Sequence, residues 1–329
     1  MEAKRLFFAY RLPRASGIRT GEGKCEVGFR SENAFLIHKY DKNSEGCSII
    51  AENEFPVLEL GKYAERDMKV ASDFSYPVAT DREAHRKNVE TVKDAIKRGD
   101  FQKAIVWKTI VFRQKVDVSA TFMNLCEAYP DAYIYCFSDP EGGIWMGACP
   151  EVLLKTDGDE VFSMSLAGTR QALSTEDWDY KNLEEQGIVT RYIVEQFHKN
   201  GFSPEISDTE TLPAGPVEHL CTWIRSPRGG KSNSELLSFA CRLSPTPAVA
   251  GSGTRKDAEE REYYSGFSGP VNSDGEISLF VNLRIMKIHS DHFVLYSGGG
   301  ITSLSNPDEE WEETERKAAT LLSLIKRKQ

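Results

Sequence analysis

Residues 293–318 read FVLYSGGGITSLSNPDEEWEETERKA and concentrate side chains able to do chemistry. An apolar strand runs into a triple-glycine loop, Gly298 to Gly300, and then into an acid-rich helix start. Glycines let backbone amides approach a ligand closely, and carboxylates in a first helical turn can hold a divalent cation beside it. The pattern suggests a metal-assisted anion site. Glu310, Glu313 and Lys317 stand three and four residues apart and project from nearly one helical face. The same spacing suits a solvated, salt-bridged face, and at this point both readings stay open.

The helix that must carry these acids is well specified. Asn306 is a good N-cap, Pro307 suits the first helical position, and the early acids oppose Lys326-Arg327-Lys328 along the macrodipole. Trp311, Ala318, Leu322 and Ile325 approximate its buried stripe. Upstream, Thr80 and Glu83 form a capping-box pattern for a helix with Val89, Val92 and Ile96 at helical spacing, ending at Gly99. A strand over 103–112 follows. Residues 132–155 predict a hairpin turning at 139–143, and Asp157-Gly158 turns into a further strand ending at 167–169. Helices are predicted over 178–199 and 232–242, then a hairpin of strands near 276–288 and 292–297. Antiparallel hairpins with intervening helices argue for an α+β fold rather than a doubly wound parallel sheet.

The 329 residues, 40% of them hydrophobic, suffice for a large core. Residues 1–79 read as short strands and turns with no catalytic pattern, and 80–329 as the region carrying the chemistry. Lys plus Arg total 41 against 50 Asp plus Glu, a formal charge of −9 without a long basic run, which argues against nucleic acid as partner. Seven scattered cysteines without a C-x-x-C pair lead to the expectation of a reduced, cytoplasmic protein. The apolar run near the N-terminus is too short for a signal peptide, and no segment has the length of a membrane span. A monomer is expected, since no heptad pattern is evident.

Nine segments in order carry a family resemblance: KAIVWK (103–108), ACPEVLL (148–154), SLAGTR (165–170), KNLEEQGIV (181–189), VEHLCTWI (217–224), LSPTPAVAG (243–251), REYYSGFSGP (261–270), VNLRI (281–285) and YSGGGI with EWEETERKA (296–318). Together they resemble the chorismate-utilising enzymes, most closely the isochorismate synthases. An ordered set is far more specific than any one short match. The resemblance implies one large α+β domain with two packed, mostly antiparallel sheets flanked by helices, and a Mg²⁺ ion that holds the chorismate carboxylate. It implies Glu185 and Glu313 as metal ligands, which suits magnesium's preference for few carboxylates plus substrate and water oxygens.

The implied reaction adds water at C2 of chorismate and expels the C4 hydroxyl. It needs a base and an acid. Lys103 matches the family lysine that activates water, and Glu151 the glutamate that protonates the leaving group. Lysine serves as a base only if its neutral form is reachable, so burial or neighbouring cations are expected around Lys103. Glu151 is expected to have a raised pKa or share a proton. Arg284 and Lys317 are the cations for substrate carboxylates, assisted by amides around Gly168, Thr169, Gly298 and Gly300. His219 matches a histidine near the reacting ring, and Ala248, Val249 and Tyr264 match pocket-lining positions. Read singly, Lys103 is a snorkelling strand lysine, Glu151 a surface carboxylate, Glu185 an exposed helical acid and Arg284 part of a buried ion pair within an apolar strand.

Positions that differ between family chemistries narrow the choice, since a fold does not specify its reaction. Lys103 stands where the ammonia-using anthranilate synthases resemble one another in having glutamine, so water is the expected nucleophile and no glutaminase subunit is expected. Ala167 stands where aminodeoxychorismate synthases have an attacking lysine. Ala248 replaces the threonine usual in salicylate synthases, which weakens but leaves open a lyase alternative. A non-catalytic chorismate-binding paralogue is the contrasting reading, and retention of acid and base together argues against it. No phosphate-binding G-x-x-x-x-G-K-S/T loop appears. Ser244, Trp107-Lys108 and Pro270-Val271-Asn272 depart from the family pattern. Whether the product feeds menaquinone, siderophore or salicylate synthesis is not written in one chain.

Overall fold

The computed structural model describes residues 4–41, 43–68, 79–250 and 260–328. In chain order the first strands are β1 (Arg5–Arg11), β2 (Arg19–Val27), β3 (Ala34–His38) and β4 (Cys47–Asn53), followed by helices α1 (Leu60–Met68) and α2 (Arg82–Lys97). Next come β5 (Ala104–Phe112), α3 (Val118–Ala128), β6 (Tyr133–Ser138), β7 (Ile144–Cys149), β8 (Val152–Asp157), β9 (Glu160–Gln171) and α4 (Tyr180–Lys199). The chain continues through β10 (Glu205–Ile206), β11 (Glu210–Ala214), β12 (Val217–Pro227), α5 (Asn233–Leu243), β13 (Phe267–Val271), β14 (Ser278–Val281), β15 (Ile285–Ile288), β16 (Phe293–Ile301) and α6 (Pro307–Leu322).

The strands form one hydrogen-bonded path, β10-β12-β9-β8-β14-β13-β3-β4-β2-β1-β6-β7-β15-β16-β5, with β11 on β12. The fold is α+β and antiparallel, as expected. Tyr133 on β6 stacks on Phe280 of β14 with ring centroids 4.2 Å apart, although six steps separate these strands. In a flat sheet they would be about 29 Å apart, at about 4.8 Å per step. The sheet therefore doubles back and packs on itself, so the two layers are halves of one connected sheet, with β1 to β4 in its middle.

Strands of the second half alternate between two apolar environments. Phe8, Tyr10, Tyr135, Phe137, Trp145 and Tyr296 face the interior between layers. Their neighbours Phe7, Ala9, Cys136, Met146 and Leu295 pack with Leu60, Phe122 and Leu321 of α1, α3 and α6. Burial on both faces explains why these strands lack a hydrophobic and polar alternation. The first half is covered by α4 and α5 through Val189, Ile193, Phe197, Leu236 and Phe239.

Several local expectations change. Asp81, not Thr80, caps α2 by accepting from the Ala84 amide, while Gly99 at φ +83° closes its end as predicted. Residues 276–288 are two strands rather than one, because Arg284 sits at φ +46° and turns the chain from β14 into β15. These strands pair with different halves, β14 with β8 and β15 with β7. Gly298 to Gly300 belong to β16 and pair with Trp107, Val106 and Ile105 of β5, so the triple glycine is strand and not loop. Cys25 and Cys47 are joined as a disulfide between β2 and β4, against the expectation of a fully reduced protein. No described helix is long and apolar enough to cross a membrane.

Candidate active site

The site forms at the seam where the chain passes between layers. Two crossovers run side by side there, Pro150-Glu151 between β7 and β8, and Asn282 to Arg284 between β14 and β15, with the Val281 amide donating to the Glu151 carbonyl. Both release backbone from the ladder and aim a charged side chain inward. Opposite them a bulge interrupts the β9 and β12 pairing. His219 pairs with Thr169 and Leu220 with Ala167, leaving Gly168 unpaired at φ +71°, a left-handed conformation that favours glycine.

One cleft is lined by Glu151, Gly168, Thr169, Glu185, His219, Ala248, Val249, Tyr264, Arg284, Gly298, Gly300 and Lys317. Lys103 and Glu313 lie one side chain behind it. Lys103 Nζ is 2.8 Å from Glu185 Oε1, with the two side chains only 1% and 9% exposed, yet directs no aligned hydrogen bond. Glu313 pairs with Lys317 at 2.6 Å, and Lys317 also donates to the Gly298 carbonyl at 3.2 Å. All fourteen residues singled out from sequence thus meet in one place. Gly251, which ends one family motif, lies outside the described residues.

The glycines of β16 are required by close approach. A Cβ on Gly298 would lie 2.6 Å from the Tyr264 hydroxyl, one on Gly299 2.9 Å from Glu310 Oε2, and one on Gly300 would collide with Glu185 Oε1 and Lys103. The Glu310, Glu313 and Lys317 face of α6 is accordingly against the sheet and not solvated; Glu310 is 2% exposed.

Burial pushes the Glu151 carboxyl up to about 8 against the pull of Lys103, Arg284 and Lys317, and its Oε1 has no hydrogen-bond partner. The acid form therefore prevails at neutral pH. Burial, reinforced by Arg284 and Lys317, lowers His219 to about 3. Its neutral tautomer follows from its partners. A guanidinium can only donate, so Nε2 accepts from Arg284 at 2.7 Å and Nδ1 carries the proton, which it donates to the Gly168 carbonyl at 2.9 Å. Here His219 holds Arg284. Burial lowers the Arg284 pKa, and no carboxylate lies within ion-pairing distance of it among the described residues. A buried guanidinium facing a cleft without a counter-anion is equipped to take an anionic ligand. The alternative of a buried ion pair is set aside.

Lys103 is buried as expected, but its neighbour is the Glu185 carboxylate rather than a cation. Two residues of the cluster escaped sequence reasoning as site residues. Lys181 pairs with Glu310 at 2.9 Å, and Glu310 Oε2 is buried without an aligned hydrogen bond. Their signal was present: Lys181 precedes Glu185 by four residues, and Glu310 precedes Glu313 by three. Burial drives the Glu310 carboxyl up; for Glu313 the pull of Lys317 and Lys181 outweighs burial and brings it down.

Among the departures, Lys108 is fully buried with its ammonium 3.2 Å above the Trp311 ring and paired with Glu315. Trp107 stacks on Tyr296 of the cleft wall at 6.1 Å. Pro270 lies on β13, and neither it nor Ser244 lines the cleft.

A doubled-back antiparallel sheet carries at its seam an acid, a lysine and a guanidinium with no carboxylate partner among the described residues, an arrangement suited to an anionic ligand. The chain belongs to the chorismate binding enzyme family, whose pattern matches residues 33–326. Isochorismate synthase EntC of Escherichia coli (strain K12) is 30% identical over 231 residues, covering 64% of this chain and 58% of that protein. Isochorismate synthase MenF of Bacillus subtilis is 27% identical over 272 residues, covering 74% and 56%. The chain thus aligns with less than two thirds of the length of these relatives. In fold it is similar to MenF, the menaquinone-specific isochorismate synthase from Escherichia coli, with a TM-score of 0.76 at 19% identity, covering 98% of this chain and 89% of that one.

Proposed function

We propose that this protein is an isochorismate synthase that interconverts chorismate and isochorismate with Mg²⁺. The observation that carries the reading is the meeting of a buried Glu151 with an unpartnered Oε1, a buried Lys103 and an Arg284 that has no carboxylate partner among the described residues around one cleft. The relatives named isochorismate synthases support it.

Arg284, held by His219, binds a substrate carboxylate, and Lys317 adds a second cation at the wall. Lys103 Nζ takes a proton from the water whose oxygen bonds to C2. Glu151 donates its proton to the C4 oxygen as that bond breaks, and the ring double bonds shift between the two events. One water enters and one leaves, so the reaction is an isomerisation. General acid and base contributions of this kind are each worth about 10²–10⁴ in rate. The site needs no ammonia-delivering partner in this reading.

The residues fit a divalent cation. Glu310 and Glu313 both border Gly299 and Glu185 borders Gly300, and Glu310 Oε2 is buried without an aligned hydrogen bond; among the described residues no three acids close around one point, which suits a pair of carboxylates completed by substrate and water oxygens. Glu185 and Glu313 would hold Mg²⁺, with Glu310 alongside, in keeping with its taste for few protein carboxylates. When bound, the ion supplies positive charge for a substrate carboxylate.

The test is incubation with chorismate and Mg²⁺, with and without ammonium, resolving products by chromatography and mass. Isochorismate formed independently of ammonium, and lost in Lys103→Ala, is the expected result. Salicylate with pyruvate would move the protein to the lyases, anthranilate would make ammonia the nucleophile, and unchanged bound chorismate would make it a non-catalytic binder.

A further inference from the structure

Three lysines meet three glutamates behind the cleft. Lys103 pairs with Glu185 at 2.8 Å, Lys181 with Glu310 at 2.9 Å and Lys317 with Glu313 at 2.6 Å. Lys181 also reaches Glu185 Oε2 at 4.0 Å, so one ammonium spans carboxylates from α4 and α6. With all six ionised, as in the resting cluster before Lys103 gives up its proton, their formal charge is zero. A dication entering a buried cluster that is already neutral gains little unless an internal cation yields its place.

The three lysines are not equally able to yield. Lys103 is enclosed, its side chain 1% exposed, and Lys317 is tied by a second bond to the Gly298 carbonyl. Lys181 contacts only carboxylates among its described ion-pair partners, and its side chain is 19% exposed, which gives its head a path to water along its own stem. Next to it, Glu310 Oε2 is buried, makes no aligned hydrogen bond and is aimed at Gly299, with the Ser305 hydroxyl also beside the carboxylate. That oxygen is an acceptor the lysine does not use.

We propose that Lys181 is an internal counter-cation of the metal site: it holds Glu310 and Glu185 while no divalent ion is bound and moves toward solvent when one enters. Lys181 thereby sets the affinity for the metal and ties the start of α4 to the start of α6 in the metal-free protein. It is a positioning residue and touches no substrate. The inference rests on the reading of Glu185 and Glu313 as Mg²⁺ ligands.

Calorimetric titration of the full chain with Mg²⁺, together with Tm measured with and without the ion, tests it on wild type, Lys181→Met and Lys181→Arg. In Lys181→Met, loss of the competing charge is expected to tighten Mg²⁺ binding by about tenfold or more, to lower Tm without metal and to enlarge the rise in Tm that Mg²⁺ produces. Lys181→Arg, which keeps the charge, is expected to return the affinity toward wild type, which a purely structural role would not require. If Lys181→Met loses its native circular dichroism, Lys181→Gln removes the charge while keeping a polar head and carries the same expectation. Unchanged or weaker Mg²⁺ binding in a folded, uncharged variant overturns the counter-cation role and leaves the metal reading intact. Absence of Mg²⁺ binding in wild type and variants alike overturns the metal reading and this inference with it.

Discussion

At the scale of single residues, the site is built from charges placed where their ordinary partners are missing. Glu151 lacks a partner for Oε1, Arg284 has a neutral imidazole instead of a carboxylate, and the Glu310 pair leaves one oxygen without an aligned hydrogen bond. Such arrangements cost stability, and their clustering in a cleft marks a candidate functional site. For Glu151 the cost has a definite pH window. A carboxyl raised from 4.5 to about 8 on folding binds its proton more tightly folded than unfolded, so its contribution to stability is full below pH 4.5 and is lost as pH rises toward 8. Glu151→Gln, which stays neutral, is expected to melt near the wild-type temperature at pH 5 and above it at pH 8, while losing about 10²–10⁴ of kcat. Thermal melts and initial rates at both pH values check this, and a lower Tm at pH 8 would sink the buried-acid account. In wild type, kcat/KM should fall as pH rises through about 8, when the acid of the free enzyme loses its proton.

At the scale of elements, β16 shows how a strand and a helix share the positioning. Its three glycines form an ordinary ladder with β5, and their missing side chains make room for Glu185 and Lys103 on one side and Glu310 on the other. Gly300→Ala is expected to preserve the strand, since extended backbone accepts alanine, yet to drive the Lys103 and Glu185 pair from its place. Activity should fall at least about tenfold with a loss of stability of about 1–3 kcal/mol, the usual range for overpacking. Kinetics beside a urea melt decide the matter; wild-type activity in this variant would show that the tight approach is not required. The glycines were read as a loop whose amides approach a ligand; the structure instead makes them strand, with neighbouring side chains crowding the space a Cβ would take. Local composition cannot tell a glycine that frees the backbone from one that frees the space beside it.

At the scale of the whole molecule, the active cleft exists because one continuous sheet folds back on itself. The stack of Tyr133 on Phe280 is a direct tie between the halves. Phe280→Ala is expected to cost about 3–5 kcal/mol, as for buried aromatics generally. Because Phe280 belongs to β14, which leads into the Arg284 crossover, KM in the proposed reaction of chorismate should rise as well. Denaturant unfolding and steady-state kinetics would show both, and a large stability loss with unchanged KM would mean that the seam does not depend on this contact. The capped helix start at Asn306 and the hairpin turn at 139–143 were legible in the chain, since each is written in local propensity, and an ordered resemblance picked out Lys103, Glu151, Glu185 and Glu313, which the fold gathers at one cleft. The break at Arg284, the disulfide between Cys25 and Cys47 and the pairing of Lys181 with Glu310 were not. Each depends on which distant strands or helices become neighbours, and that is settled by burying both faces of the strands at once, a condition only the folded sheet imposes.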